Sequence, residues 1–319
     1  MSGRFAVVGA GVAGVACARA LADAGWRVAI HEREPRIGGR LAQCHQEGAV
    51  FDYGGQFVRP RDPVLKALLE AGVAAGVAAR WPAADRDGVA AYVGRPTMAA
   101  PLEALLHGIE TRTGCQIVRL SRDGGSWWLE DEGGARHGPF DRVGLALPPV
   151  IAGQLLGTVE APPEALVAAT AAAALAPCWA LLLAFDPPLD LHGFDARVID
   201  EGPLAWIARN TTKRGRQGRD SWTAHATQDW SAAHLELSPE AVLEQLVPAF
   251  RAVTGTADVP FHAGAHCWRQ AQVTRALGVA AVHDPGAGLG LCGDWCLSRN
   301  VEAAFLSGRA LAGLLGEGG

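Results

Sequence analysis

Three glycines near the start of the chain have the spacing of a dinucleotide-binding turn. Gly9, Gly11 and Gly14 follow the apolar run 5–8, which predicts a buried strand, and they open the Ala-rich stretch 15–24, which predicts a helix. The first glycine permits a tight turn, the second lets the backbone approach a diphosphate, and the third lets the helix lie close to the sheet. The pattern predicts a diphosphate at a helix N-terminus. Without further elements, the same glycines also fit an ordinary glycine-rich turn.

An acidic residue and a second glycine pair follow. Glu32 ends the predicted strand 26–31, where its carboxylate can accept hydrogen bonds from both ribose hydroxyls and would repel a 2′-phosphate. The segment Gly38-Gly39-Arg40 lets the chain pass under a diphosphate, and Arg40 can add a charge-assisted contact to a phosphate. Enzymes that bind only NAD do not need this second element, so the combination favours FAD.

A fourth element lies far along the chain. Gly293 and Asp294 come at the end of the predicted strand 288–292, before the predicted helix 301–315. Gly293 permits a close approach, Asp294 can bond a ribityl hydroxyl, and the N-terminus of the helix would stabilise negative charge on a reduced flavin. A Gly-Asp pair alone says little, but in this order with the other elements it predicts an FAD site.

The complete set of predicted cofactor contacts includes Ile117, a candidate for backbone contact to adenine for which simple burial in the core is a nearly equal alternative. The set is Gly9, Gly11, Val12, Ala13, Gly14, Glu32, Arg33, Gly39, Arg40, Gly55, Gln56, Ile117, Gly293, Asp294, Val301 and Ala304.

The elements that must position these residues predict an α/β fold with two domains. A strand–turn–helix–strand unit begins the chain, alternating residues around Gly124-Gly125 predict a hairpin, and the middle of the chain is rich in strands with one helix at about 238–253. Helices are also predicted at 62–80 and 97–113. The expected architecture is a Rossmann-like FAD-binding domain (1–59, 98–160 and 271–319) with a discontinuous substrate domain on a mixed or antiparallel sheet (60–97 and 161–270).

Composition excludes several classes of protein. Of 319 residues, 49% are hydrophobic and 19% charged, which predicts a large packed core, and the net charge of −5 disfavours nucleic acid and anionic lipid as partners. Seven scattered cysteines and no signal-peptide pattern favour a reducing, cytoplasmic location. The apolar stretch 166–185 is interrupted by Pro177 and predicts a buried helix followed by a strand, not a membrane span. His262 and His266 lie on a predicted strand without a carboxylate partner, so no metal site is predicted there.

Several segments together resemble one family, the bacterial renalase-like flavoproteins of the flavin amine-oxidase superfamily. The segments are Asp52–Phe57, Trp206–Asn210, Trp222–Thr227, Cys292–Ser298 and Val301–Gly308. This resemblance implies non-covalent FAD in a p-hydroxybenzoate-hydroxylase-like architecture. It also implies oxidation of the 1,2- and 1,6-dihydro isomers of NAD(P) to NAD(P)+, with oxygen reduced to hydrogen peroxide. Val58-Arg59-Pro60, Cys267 and Gln270 depart from the family pattern near the pocket.

The predicted substrate pocket needs no strong base, because a dihydronicotinamide donates hydride without losing a proton from the reacting carbon. Its candidate residues are Gln56, Phe57, Trp206, Asn210, His225 and Trp268. The two tryptophans could stack on a flat ring or belong to the core, and Asn210 and His225 could bond a carboxamide or a ribose. No catalytic residue is singled out.

Two alternatives stay open at this stage. A flavin amine oxidase would use aromatic walls such as Trp268 and Trp295 beside a polar or negative pocket. Such enzymes often place a lysine near flavin N5, and the only lysines, Lys66 and Lys213, are predicted to be poorly placed for that role. The other alternative is a non-catalytic FAD-binding protein.

Overall fold

The structure is a computed structural model that describes residues 3–316. The chain forms two compact units. The first contains the residues up to Gly39, Leu102–Leu175 and the residues from Val273 onward, and the second contains Arg40–Pro101 and Ala176–Gln272. Compared with the predicted domains, the segment 40–59 groups with the second unit and the segment 161–175 groups with the first.

The strands and helices are as follows. The strands are β1 (Arg4–Val8), β2 (Arg27–His31), β3 (Gln43–Gln46), β4 (Ala49–Asp52), β5 (Ala78–Arg80), β6 (Tyr92–Gly94), β7 (Glu110–Arg112), β8 (Ile117–Asp123), β9 (Ser126–Asp131), β10 (Arg136–Phe140), β11 (Arg142–Leu145), β12 (Ala174–Phe185), β13 (Ala196–Val198), β14 (Leu204–Arg209), β15 (Asp220–Ala226), β16 (His262–Arg275), β17 (Val282–Asp284) and β18 (Leu289–Leu291). The α-helices are α1 (Val12–Asp23), α2 (Pro63–Ala74), α3 (Ala100–Leu105), α4 (Pro149–Leu156), α5 (Glu164–Ala172), α6 (Gln228–Ala233), α7 (Pro239–Thr254), α8 (Asp294–Leu297) and α9 (Val301–Gly316).

The first unit is built on a six-stranded sheet with the order β17-β18-β11-β1-β2-β7. The pairs β1/β2, β1/β11, β11/β18 and β2/β7 are parallel, and only the edge strand β17 is antiparallel to its neighbour. Parallel strands direct their carboxyl ends to one edge of a sheet, which is where such folds bind ligands. The predicted fold class, an α/β fold with a Rossmann-like domain, is confirmed.

Helices and a small second sheet cover this parallel sheet. Helix α1 packs closely against α9, because a Cβ at Gly308 would meet the carbonyl oxygen of Ala13. The three-stranded sheet β10-β9-β8 supplies Leu120, Trp127 and Leu129 to a core that continues into β1, β11 and β18. The apolar face of each layer is thereby buried against the next.

The second unit contains a five-stranded sheet with the order β13-β14-β15-β12-β16 and two distinct faces. Alternate side chains of a strand point to opposite faces. Trp222 and Ala224 lie in a core cluster with Val242, Leu246 and Phe250 of α7. The opposite face carries Ala180, Leu182 and Ala184, which pack against Ala49 and Phe51 of the β3–β4 hairpin. Thr223 and His225, which alternate with Trp222 and Ala224, therefore lie on the hairpin face.

Some predicted elements are shorter than expected. The predicted helix 62–80 ends at Ala74, and the chain continues into β5. The predicted helix 97–113 is limited to α3, since Gly108 adopts a φ of +77° and β7 begins at Glu110. The stretch 166–185 is a helix followed by a strand, as expected. Between residues 3 and 316, no helix combines the length and apolar character needed to cross a membrane.

Candidate functional site

The glycine turn of the first unit follows β1 and leads into α1. Gly9 adopts a φ of +100°, and a Cβ at Gly14 would collide with the carbonyl oxygen of Gly9, so both positions require glycine. A Cβ at Gly11 would meet nothing within 4 Å, which leaves that side of the turn open to a ligand. Gly11 provides no side-chain cap for α1, so amides of the first turn, including those of Val12 and Ala13, are available to an anion.

Glu32 lies directly after β2 and its side chain is held in one orientation. The residue is 7% exposed, Oε2 accepts a hydrogen bond from the Ala10 amide at 2.7 Å, and Oε1 accepts one from the Glu34 amide at 2.9 Å. A carboxylate has about four lone-pair sites. Each oxygen therefore retains acceptor capacity, which fits the ribose diol of a dinucleotide.

The second glycine pair contacts the first glycine turn. The Gly38 amide donates to the carbonyl oxygen of Ala10 at 2.9 Å, and a Cβ at Gly39 would lie 3.4 Å from the Cα of Gly11. This contact joins the two segments that were predicted to surround a diphosphate.

The two predicted arginines have other partners. Arg40 belongs to the second unit, where its Nη1 donates to the carbonyl oxygen of Ala271 at 2.8 Å. Arg33 is an exposed residue whose side chain pairs with Glu34 at 3.1 Å. A contact of Arg40 with phosphate and a contact of Arg33 with the cofactor remain predictions.

The Gly-Asp element is fixed to α9 by a residue that the sequence did not identify. The Gly293 amide donates to Oγ of Ser307 at 2.9 Å, and Ser307 is fully buried on α9. Asp294 is 6% exposed and begins α8. Asn300 precedes α9 and accepts a hydrogen bond from the Ala303 amide at 2.6 Å. Asn and Ser are common capping residues, which is the signal that could have indicated Asn300.

Sheet topology brings these elements to one edge. Gly9 follows β1, Glu32 follows β2, and Gly293 follows β18 by two residues, all at the carboxyl ends of strands in one sheet. Strands β18 and β2 are three interstrand spacings apart, roughly 14 Å. An extended dinucleotide can bridge that span, so the residues of this edge fit FAD.

Three other predicted cofactor contacts lie on α9 and β8 of the first unit. Val301 is the half-buried first residue of α9, and Ala304 is 8% exposed in its first turn. Ile117 begins β8, pairs with Asp131 of β9 and packs against the core of the first unit. For Ile117, this packing accounts for an apolar side chain without any contact to adenine.

A buried ion cluster occupies the hairpin side of the second unit. The carboxylate of Asp52 accepts a hydrogen bond from Lys213 Nζ at 3.0 Å and one from Arg216 Nη2 at 2.7 Å. All three side chains are at most 1% exposed. Burial raises the pKa of Asp52, but the two cations outweigh burial and hold it below its ordinary value. Burial, partly offset by Asp52, lowers the pKa of Lys213 to about 8. One anion therefore faces two cations.

Gln56 and Asn210 belong to this cluster. Gln56 Oε1 accepts a hydrogen bond from Lys213 at 2.7 Å, and its Nε2 donates to the carbonyl oxygen of Asp52. Asn210 is fully buried, its Oδ1 accepts from the Asp52 amide at 3.2 Å, and its Nδ2 donates to Thr223 Oγ1 at 3.0 Å. These bonds give Asn210 a structural position, which differs from the predicted contact with a substrate.

Gly55 lies beside this cluster and packs on Leu41. Its amide donates to the carbonyl oxygen of Arg40 at 2.7 Å, and a Cβ at this position would be only 2.7 Å from Leu41 Cδ2. The close packing explains glycine at position 55 without a cofactor.

Three aromatic rings of the second unit form a cluster. The ring centroids of Phe57 and Trp206 are 5.5 Å apart, and Trp81 lies 6.2 Å from Phe57 and 6.4 Å from Trp206. Cations flank the cluster, because Arg59 lies over Phe57 at 4.8 Å and Lys213 lies over Trp81 at 5.0 Å. Trp206 Nε1 is buried and has no acceptor among residues 3–316.

A second aromatic group surrounds Tyr53. The Tyr53 and Trp268 rings lie 4.8 Å apart, and both Trp268 Nε1 and His225 Nε2 contact the carbonyl oxygen of Tyr53, at 3.0 and 3.1 Å. Burial lowers the pKa of His225 to about 4, so the ring is neutral at physiological pH. Its Nε2 must then carry the proton that it donates to Tyr53, and Nδ1 is an acceptor. His225 and Trp206 are paired across β14 and β15.

The structure thus assembles most predicted pocket residues on one face of the second unit and adds residues that the sequence did not identify. Lys213, predicted to be poorly placed for a position near flavin N5, is fully buried beside Gln56, whereas Lys66 is exposed near Glu70. Trp81 joins Phe57 and Trp206. No local pattern predicted either residue, because their partners are remote in sequence.

Comparisons with known proteins agree with this architecture. Residues 7–71 match the family of NAD(P)-binding Rossmann-like domains. Over 64 residues, or 20% of the chain, the sequence is 44% identical to putrescine oxidase of Kocuria rosea. Over 67 residues, or 21% of the chain, it is 39% identical to protoporphyrinogen oxidase 2 of Arabidopsis thaliana. The matched stretch covers 13% of each relative's length.

Solved structures resemble the chain over nearly its whole length. A putative protoporphyrinogen oxidase from Exiguobacterium superposes with a TM-score of 0.77 at 12% identity and 99% coverage of both chains. A putrescine oxidase bound to putrescine superposes with a TM-score of 0.74 at 16% identity and 98% coverage of both. Cyclohexylamine oxidase from Brevibacterium oxydans has a TM-score of 0.72 at 14% identity. The chain therefore shares its fold with the structures of these oxidases.

Proposed function

We propose that this chain binds one FAD non-covalently on its first unit and oxidises isomeric dihydronicotinamide dinucleotides, the 1,2- and 1,6-dihydro forms of NAD(P), as renalase-like flavoproteins do. The proposal rests on the pairing of buried charges in the second unit. Its two buried carboxylates, among the described residues, are Asp52 and Asp220, and both are engaged by cations. Because both buried carboxylates are already paired with cations, a pocket in this unit favours a neutral ring carrying anionic phosphates over a cationic amine.

In the first unit, each residue has a definite task toward the cofactor. Glu32 accepts hydrogen bonds from the adenosine ribose, because Ala10 and Glu34 already orient its oxygens. The N-terminus of α1 receives the diphosphate through its amides and its partial positive charge. Asp294 would bind a ribityl hydroxyl, and the N-terminus of α9 would stabilise negative charge on the flavin ring. When bound, FAD would supply the hydride acceptor for the substrate and the route for its electrons to oxygen, with hydrogen peroxide as the product.

In the second unit, the aromatic cluster of Phe57, Trp81 and Trp206 receives the flat dihydropyridine ring. Trp206 Nε1 is a buried donor without an acceptor between residues 3 and 316, so it is suited to the carboxamide oxygen of a nicotinamide. Trp268 and His225 are bonded to Tyr53 and hold the neighbouring wall. The positive charge of Arg59 beside Phe57 suits the phosphates of a dinucleotide substrate.

A flavin amine oxidase is the second candidate, favoured by the fold shared with putrescine oxidase and cyclohexylamine oxidase. It would need a neutral amine, since the buried carboxylates of the second unit are already paired. Lys213, with a pKa lowered to about 8, is the buried amine whose counterpart such enzymes often place near flavin N5. The two candidates therefore differ in the charge of the substrate that the pocket accepts.

The test is an anaerobic substrate screen that follows flavin absorbance. We expect yellow protein whose flavin is released by denaturation, and rapid bleaching by the 1,2- and 1,6-dihydro isomers but not by ordinary NADH. Bleaching by putrescine or cyclohexylamine alone would contradict the proposal and support the amine oxidase. Stable flavin with no bleaching by any of these compounds would indicate a non-catalytic FAD-binding protein.

A matched pair of tryptophan variants tests the pocket. Trp206→Phe keeps an aromatic wall but removes the Nε1 donor, so KM for the dihydro isomer should rise about three- to tenfold, the value of one neutral hydrogen bond. Trp230→Phe changes a tryptophan of the same unit that stacks on His234, and it should leave KM unchanged. Equal effects of the two variants would contradict the assignment of Trp206.

A further inference from the structure

A cluster of metal-ligating side chains lies in the first unit, next to Glu32, whose carboxylate is predicted to bind a ribose. His31, Cys115 and His137 each place one ligand atom within 4.8 Å of the other two. His31 ends β2 and is 1% exposed, and neither of its ring nitrogens has a hydrogen-bond partner in the described part of the chain. A buried imidazole without partners is costly and requires an explanation.

The distances match tetrahedral coordination. Cys115 Sγ and His137 Nε2 are 3.6 Å apart. Zinc bonds of about 2.3 Å to sulfur and about 2.0–2.1 Å to nitrogen at a tetrahedral angle place those atoms about 3.6 Å apart. Asp131 Oδ2 lies 2.8 Å from His137 Nε2 and 3.9 Å from Cys115 Sγ, so a fourth oxygen ligand is within reach.

We propose that the first unit binds one divalent transition metal of the zinc class through His31, Cys115 and His137, with Asp131 as the fourth ligand. Two imidazoles, a thiolate and a carboxylate form a ligand set typical of zinc. The site joins β2 of the parallel sheet to the three-stranded sheet β10-β9-β8, which contributes His137 and Asp131.

Metal binding requires a proton change at His137 and another at Cys115, and Arg112 opposes the change at His137. Arg112 Nη1 contacts His137 Nδ1, which keeps the His137 proton on Nε2, where it is donated to Asp131. Metal binding moves this proton to Nδ1 and releases the Cys115 thiol proton to solvent. Arg112 must then leave Nδ1. Its side chain is 43% exposed and already pairs with Glu110, so it can do so.

The site is linked through the backbone to Glu32. Glu32 follows His31 directly, its amide donates to the carbonyl oxygen of Arg112 at 2.8 Å, and its carbonyl oxygen accepts from the Cys115 amide at 2.8 Å. A metal bound to His31 and Cys115 would hold the backbone on both sides of Glu32. If Glu32 binds the FAD ribose, as proposed above, the metal should slow FAD release; the metal site itself does not depend on that proposal.

The experiment is a cobalt(II) titration of the purified, chelator-treated protein, with and without FAD. We expect one Co²⁺ per chain, with the ligand-field bands of tetrahedral cobalt at wavelengths longer than flavin absorption. Cys115→Ser and His31→Gln should each weaken binding at least about tenfold. Cys44→Ser, which changes a half-buried cysteine of the second unit, should bind as the unaltered chain does. Absence of saturable binding, or unchanged binding by Cys115→Ser, would overturn the proposal.

Two further measurements keep the outcome independent of folding and of FAD. Circular dichroism verifies that each variant is folded, and Arg112→Ala provides a variant expected to bind Co²⁺ more tightly, because Nδ1 is released. Weaker binding by folded Arg112→Ala would refute the proposed proton arrangement. Cobalt binding without any FAD binding would contradict the proposed function while supporting the metal site. Cobalt binding that leaves FAD release unchanged would refute the link through Glu32.

Discussion

Replacing Asp52 with asparagine tests how the second unit tolerates two buried cations. Asp52 is the carboxylate that faces both Lys213 and Arg216, and its side chain is fully buried. Asparagine has nearly the same shape and keeps one acceptor oxygen, but it removes the negative charge. The Asp52→Asn variant therefore leaves a lysine and an arginine facing each other in a region that excludes water.

The expected loss of stability follows from the burial of the three groups. Removing one partner of a buried ion pair costs about 3–5 kcal/mol. Lys213 can escape part of the repulsion by losing its proton, since its pKa is already lowered to about 8. At pH 7 this deprotonation costs about 1.4 kcal/mol with Asp52 present and less without it. We therefore expect the lower end, a loss of about 3 kcal/mol in the free energy of unfolding.

Urea denaturation at pH 7, followed by tryptophan fluorescence, measures this loss. Asp186→Asn is the matched control, because Asp186 is 58% exposed and pairs with Arg219 at 3.5 Å, and such surface pairs contribute about 0–1 kcal/mol. The double variant Asp52→Asn/Lys213→Met should recover at least about 1 kcal/mol, since one unpaired cation is removed. The reasoning is refuted if Asp52→Asn loses no more stability than Asp186→Asn.

Three other predictions address the cofactor edge, helix packing and pH. Glu32→Gln should raise the Kd for FAD about tenfold or more, because hydrogen bonds to a charged group contribute about 1.5–3 kcal/mol, as measured by fluorescence of released flavin. Gly308→Ala should destabilise the first unit by about 1–3 kcal/mol, since its Cβ meets the Ala13 carbonyl, as measured by thermal unfolding. The folded-state pKa of Lys213 is below its unfolded value of 10.5, so between pH 8 and 10.5 the folded chain binds fewer protons. Relative to Lys213→Met, the free energy of unfolding should therefore rise with pH across that window, by up to about 3 kcal/mol in urea titrations.

Each of these predictions has a control on the same element or residue type. Glu34→Gln changes an exposed carboxylate beside Glu32 and should keep FAD affinity. Gly313→Ala lies on α9, where a Cβ would meet nothing within 4 Å, so it should not destabilise the helix. Lys66→Met removes the exposed lysine and is the matched substitution for Lys213→Met. Equal behaviour of a variant and its control would contradict the corresponding prediction.

The sequence was informative where function depends on neighbours along the chain. Three local patterns are of this kind: the glycine turn at Gly9–Gly14, Glu32 at the end of a strand and the Gly-Asp pair at 293–294. In each, the residue types themselves indicate the backbone geometry that the position requires. The Rossmann-like fold could be predicted for the same reason, because periodicity of apolar residues specifies strands and helices. Element boundaries were less accurate where Gly108 ended a helical pattern early.

The role of polar side chains could not be predicted in this way. Asn210 was expected to contact a substrate, but in the structure its amide is bonded to Thr223 and the Asp52 backbone. The expectation that Lys213 is poorly placed near flavin N5 stays a prediction, but the burial of this lysine against Asp52, from which it is separated by 161 residues, could not be foreseen. No pattern along the chain records such a pairing.

The sequence by itself determined where the glycine turn and the acidic strand end of a Rossmann-like domain lie, because a tight turn, a helix N-terminus and a strand end are made by consecutive residues. Only the tertiary structure decided which charges are available to a ligand. The energy of a buried charge depends on the groups that surround it in space, and these come from distant segments: Asp52 with Lys213 and Arg216, or His31 with Cys115 and His137.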